Sequence, residues 1–105
     1  MPTIELNGRI YAVDEDGFLE DPTIWNEQVA ADLATSEEIA TLNEDQWKLV
    51  YYLRRYYLEF GIAPMVRKLC KDNGFTKAQV YEMFPSGPAK GACKVAGLPK
   101  PTGCV

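Results

Sequence analysis

The stretch LNEDQWKLVYYLRRYYLEFG, residues 42–61, decides the fold class, because it reads as one long helix with both ends marked. Asn43 suits the N-cap, where a short side-chain oxygen can accept a backbone N–H that the helix leaves unpaired. Gln46 stands three residues on and completes a capping box, and Leu42 can staple onto Trp47. Trp47, Val50, Tyr51, Tyr57 and Leu58 supply the apolar side. Gly61 then follows as the glycine that stops the helix in a left-handed conformation.

Towards the C-terminus, Pro64 opens a third helix that carries Met65, Val66, Leu69 and Cys70 and stops near Asn73-Gly74. Thr76 and Gln79 form a second capping box, with Phe75 stapled onto Val80, and this fourth helix ends at Phe84-Pro85. Pro88 opens a short fifth helix to about Ala96, closed by Gly97. The third and fourth helices, joined through Asp72 to Phe75, resemble a helix-turn-helix. Towards the N-terminus, Asp21 or Thr23 can cap a first helix through about Thr35, with Trp25, Val29 and Leu33 on one face. Ahead of it, Thr3 to Leu6 and Arg9 to Val13 are strand-like runs separated by Asn7-Gly8, which suits a two-residue type I′ turn. Asp14 to Gly17 is a polar turn that resembles a fragment of a calcium loop, but the twelve-residue ligand pattern does not continue.

The last stretch, GLPKPTGCV (97–105), cannot be helical, because Pro99 and Pro101 remove donors and favour extended geometry. The expectation is a single, mainly α domain: a small orthogonal helical bundle (body 21–96) with an N-terminal β-hairpin (1–17), a helix-turn-helix-like element and a flexible C-terminal arm (97–105). Fully extended, that arm reaches roughly 30 Å.

The chain has 105 residues, enough for one modest core. No apolar run approaches a membrane span, and the opening MPTIE shows neither a basic nor an apolar stretch, so a cytoplasmic protein without membrane insertion is expected. There are three cysteines and no histidine. A Ser-His or Cys-His pair within the chain is therefore excluded, and three scattered thiols do not supply a four-ligand zinc site. An attached haem would need Cys-x-x-Cys-His, which is absent. Thiol chemistry without a metal remains. The charge is asymmetric: residues 1–60 hold four basic and thirteen acidic groups, a balance of −9, whereas residues 61–105 hold seven and two, a balance of +5. All the cysteines lie in the positive half, which favours an anionic substrate or an acidic partner near the thiols.

Cys104 is the penultimate residue, where chains fray and packing has little use for a thiol, so reactivity is the better reason for its presence. Cys93 lies on the short fifth helix, with ten residues between the two. Closing a loop of about a dozen residues costs on the order of 3 kcal/mol, so a bridge between the two can be reversible. Lys90, Lys94 and Lys100 are the cations placed to favour thiolates, while the terminal carboxylate beside Cys104 works the other way.

Cys93 and Cys104, together with FPSGP (84–88), GACK (91–94) and the ending GLPKPTGCV, resemble the DsrC family, also called the gamma subunit of dissimilatory sulfite reductase. VDEDGF (13–18) and GIAPMVR (61–67) fit the same family, so the resemblance spans nearly the whole chain. TusE-type relatives, sulfur relays of tRNA thiolation, keep only the penultimate cysteine, and this chain with both is similar to the sulfite reductase group. The resemblance implies a sulfur carrier that acts as a protein co-substrate and is not catalytic alone. The arm would enter the siroheme site of an αβ partner, which also holds iron–sulfur clusters, and this chain would carry no cofactor. Cys104 would accept sulfite-derived sulfur, Cys93 would attack to give a bridging trisulfide, and a membrane-bound complex would reduce it to sulfide and dithiol. The short connection Asn73-Gly74-Phe75, without an insertion ahead of the fourth helix, leans towards the reducing direction.

Each residue has a plainer reading beside the chemical one. Cys70, next to Leu69, reads as a small buried residue. Trp25, Trp47 and the tyrosines at 51, 52, 56 and 57 read as core and helix surface. Arg67, Lys68, Lys71 and Lys77 read equally as a solvated face or as a cationic surface that steers sulfite or docks an acidic partner. A DNA-binding helix-turn-helix regulator is the alternative from another class. Net acidity and the lack of a basic stripe argue against nucleic acid. A self-contained thiol oxidoreductase lacks its Cys-x-x-Cys motif.

Overall fold

In the computed structural model, Asn7 and Gly8 take φ of 52° and 82°, the left-handed pair that an Asn-Gly turn adopts at low steric cost. β1 (Thr3–Leu6) and β2 (Arg9–Ala12) therefore pair antiparallel, with Thr3 opposite Ala12 and Leu6 opposite Arg9. The structure describes residues 2–99, and of residues 88–90 the backbone alone. Strand alternation turns Leu6, Tyr11 and Val13 onto Leu19, Val29 and Leu33 and leaves Ile10 exposed.

Buried Asp32 ties this hairpin to the first helix. Its carboxylate accepts from Asn7 Nδ2 at 2.8 Å, Gln28 Nε2 at 3.2 Å, Arg9 Nη1 at 3.3 Å and the Tyr11 hydroxyl. Burial works to raise its pKa. The donors from Asn7, Tyr11 and Gln28 and the charge of Arg9 outweigh that and hold it below the ordinary carboxylate value. Burial and the Asp32 contact push the Tyr11 phenol up to about 12. Asp32→Ala orphans the buried Tyr11 hydroxyl and is expected to cost about 3 kcal/mol in denaturant unfolding. The lowered folded pKa makes the carboxylate's contribution complete above its unfolded value of 3.8 and lost as pH falls through the folded one. Asp32→Asn should therefore lose less stability than the parent between pH 7 and pH 2, and an equal loss would refute the assignment.

The first helix starts later than predicted. Asp21 caps only a short 3-10 turn (Pro22–Ile24), accepting from the Thr23 N–H, and Asn26 caps α1 (Glu27–Ser36) by accepting from the Val29 N–H at 2.9 Å. Between them Trp25 is extended, so it lies outside the helix and is free to pack elsewhere. α2 (Glu44–Phe60) has both capping-box bonds, Asn43 with Gln46, and ends at Gly61 with φ of 76°. Its buried face is Gln46, Leu49, Val50 and Leu53, whereas Tyr51 is 42% and Leu58 74% exposed, contrary to the apolar side read from the sequence. Gln46 can occupy the core because its Nε2 donates to the Met83 carbonyl at 2.7 Å.

α3 (Val66–Asn73) begins after an extended Met65, so Pro64 precedes the helix instead of opening it. Leu69 is its buried apolar residue, and Met65 is exposed. Gly74, φ 70°, turns the chain into α4 (Lys77–Met83), which the Thr76–Gln79 capping box opens; the pair forms the helix-turn-helix-like element. The fifth helix is wound as a π-helix over Pro88–Cys93, with Lys94 and Val95 continuing it. One core cluster joins Phe18, Leu49, Leu53, Leu69, Val80, Phe84 and Cys93.

The first two residues of the predicted arm, Gly97 and Leu98, belong to the body. Gly97 is buried, Leu98 is 1% exposed, and the Leu98 N–H donates to the Cys93 carbonyl at 3.1 Å. Burial of the Leu98 side chain holds these two residues in the body. Lys100 to Val105, and with them the calls on Lys100 and Cys104, lie outside the described residues. Among the described residues no helix is long and apolar enough to cross a membrane.

Candidate functional site

Cys93 ends the π-helix with its side chain in the core, 0% exposed. Burial among apolar neighbours disfavours the thiolate and pushes its pKa up to about 12. The next residue does not counter this. Lys94 is largely buried, and its ammonium pairs with Glu37 Oε2 at 3.3 Å and lies 5.7 Å from the Phe18 ring centre. The cation predicted beside the thiol is thus committed to Glu37, whose other oxygen, Oε1, is buried without a hydrogen-bond partner. Lys90 lies on the π-helix four residues before Lys94.

Arg67 stands exposed on α3. It lines a cleft of about 390 Å³ with Cys70, Phe75 and Lys77, and neither Cys93 nor Lys94 lines that cleft. Cys70 itself is partly buried and packs against the main core cluster. The structure therefore does not gather Arg67 with Cys93.

Two side chains that the sequence reading left in the background hold residues 95–97 in the body. Trp25 Nε1 donates to the Val95 carbonyl at 2.9 Å. Arg54 Nη1 donates to the Ala96 carbonyl at 3.0 Å, and Nη2 donates to the Pro22 carbonyl at 3.1 Å. The guanidinium stacks 4.4 Å above the Trp25 ring, a cation–π contact that fixes both groups. Gly97, φ 71°, comes so close that a Cβ there would sit 2.3 Å from Trp25 Cδ1. Residues 95, 96 and 97 are thus each held from one side by this pair. No local spacing announces it, because Arg54 and Ala96 are 42 residues apart and Trp25 and Val95 are 70 apart.

The site joins a sequestered, protonated thiol to an anchored segment, residues 95–97. Among the described residues no group of three Cys, His, Asp or Glu side chains could hold a metal ion. The arrangement suits thiol exchange gated by exposure of Cys93.

A family model described as "DsrC like protein" matches residues 5–105. The chain belongs to the DsrC family. It is 50% identical, over the full length of both chains, to the gamma subunit of the dissimilatory-type sulfite reductase of Nitratidesulfovibrio vulgaris. It is 41% identical to the sulfurtransferase TusE of Pectobacterium atrosepticum, covering 97% of this chain and 99% of that one. Among solved structures, the oxidised DsrC gamma subunit from Archaeoglobus fulgidus superposes with a TM-score of 0.85 at 45% identity, covering 99% of this chain and 100% of that one. The resemblance read from the two cysteines and the closing motif is thus DsrC family membership across the whole chain.

Proposed function

We propose that this chain is the sulfur carrier and protein co-substrate of a dissimilatory sulfite reductase, with Cys104 as sulfur acceptor and Cys93 as the thiol that closes the bridge. The observation that carries the reading is the pairing of a buried Cys93 with a clamped root at residues 95–97, seven residues ahead of Cys104. A second thiol can then meet the first only after local opening, and the cargo-bearing end always departs from the same place. The 50% identity to a gamma subunit of that enzyme supports the same assignment.

One sulfite, two thiols, two electrons from the catalytic partner and four protons give one trisulfide and three waters. Four more electrons and four protons, from a membrane-bound reducing complex, release hydrogen sulfide and restore both thiols. Siroheme and iron–sulfur clusters would belong to the αβ partner, and the exchange would take place in the cytoplasm. Intact-mass measurement after turnover with sulfite and the αβ enzyme tests this. One sulfur atom should be added between Cys93 and Cys104. Cys104→Ala should abolish the addition and keep the fold, and Cys93→Ala should load without bridging. Unmodified dithiol under turnover would sink the reading.

A further inference from the structure

We propose that the α2 face beside the root of the C-terminal segment, centred on Arg55 and Leu58, is the surface on which the sulfur-loading partner seats, and that the partner presents there an apolar side chain flanked by carboxylates. The inference rests on the carrier reading above and adds to it the place and chemistry of docking.

Reach decides the place. Leu98 is buried, so free chain begins no earlier than Pro99, and Cys104 lies six residues beyond Leu98. At about 3.3–3.6 Å per residue its sulfur cannot lie much more than ~20 Å from that root. A partner whose reacting centre is enclosed must therefore press against the surface surrounding the root. Trp25 and Arg54, which hold residues 95 and 96, also line a cleft of about 470 Å³ with Lys48, Tyr51, Arg55 and Leu58. Root and cleft share the same two side chains.

Chemistry decides the occupant. Leu58 is the most exposed large apolar residue of the described chain, at 74%, and Tyr51 and Trp25 add aromatic surface. Three lining residues are cations and none is acidic, in a chain whose net charge is −4. Glu27, the carboxylate in contact with this set, accepts from the Tyr51 hydroxyl. Lys48 is held by the Asn73 carbonyl at 3.2 Å and Arg54 by Ala96 and Pro22, whereas Arg55 is exposed to solvent. Aromatic residues and arginine around an exposed leucine are the composition that protein interfaces favour. Positive lining adds electrostatic steering towards an acidic rim.

The test uses the full-length chain, its Arg55→Glu and Leu58→Glu variants, and the purified αβ sulfite reductase, with sulfur loading read by mass. Each variant should raise the KM for the carrier at least tenfold and leave the loading rate at saturation near the parent's. Raised salt should weaken the parent more than Arg55→Glu. Ile10→Glu, on the exposed face of the hairpin, should leave KM unchanged. Unchanged KM in both α2 variants overturns the docking surface while the parent's loading keeps the carrier reading intact. A slowed Cys93–Cys104 oxidation in the isolated variants, with KM unchanged, would give the cleft to the chain's own terminal residues and overturn it as well. A parent that never loads refutes the carrier reading itself.

Discussion

Native Cys93 should react with iodoacetamide at pH 8 about a thousandfold more slowly than the same residue in the unfolded chain. An ordinary thiol with a pKa of 9.0 is roughly one-tenth thiolate at that pH, whereas a pKa of about 12 leaves roughly one part in ten thousand. Only the thiolate attacks, and exclusion of the reagent from a fully buried sulfur slows the reaction further. Peptide-resolved mass spectrometry, with Cys70 as the partly exposed comparison, measures the rate. A Cys93 modified as fast as in urea would mean that the thiol is open in solution. The sign of the linkage is equally definite. The folded pKa is raised, so the stability gained from holding the proton is present below 9.0 and is lost as pH climbs towards 12. Cys93→Ala should flatten that alkaline loss. In the proposed carrier role a sequestered Cys93 would be kept from premature exchange until the end of the π-helix opened.

Gly97→Ala should be the most damaging alanine substitution among the described glycines, at about 3 kcal/mol. A non-glycine residue at φ 71° costs about 1 kcal/mol by itself. The added Cβ would also sit 2.3 Å from Trp25 Cδ1 and 2.9 Å from Cγ, so the indole must shift. That shift costs about another 1–3 kcal/mol in overpacking and a broken Nε1–Val95 bond, and it loosens the Arg54 stack. Gly74→Ala is the matched comparison, because it has nearly the same φ of 70° with nothing within 4 Å of the added carbon. The difference between the two in denaturant unfolding isolates the contact with Trp25. Equal losses would mean that the root is not clamped. If the proposed carrier role holds, the effect should extend to chemistry: with residues 95–97 displaced, trisulfide closure should slow more than the initial loading.

The residues themselves determined the local elements. The Asn7-Gly8 turn, the Asn43–Gln46 and Thr76–Gln79 capping boxes and the glycine stops at 61, 74 and 97 all form where the spacing puts them. Each depends on groups within about four positions, so sequence alone carries the information. The closing motif around Cys104 likewise identifies the family before any coordinates. Tertiary structure decided the rest. It sent Trp25 out of the first helix to Val95, turned Leu58 to solvent and Leu49 to the core, and packed Gly97 and Leu98 into the body. It also spent Lys94 on Glu37 instead of on the neighbouring thiol. These outcomes rest on contacts between residues far apart in the chain, and the protonation of Cys93 rests on how completely those contacts remove water. Neither depends on the spacing between neighbours, which is what a sequence pattern records.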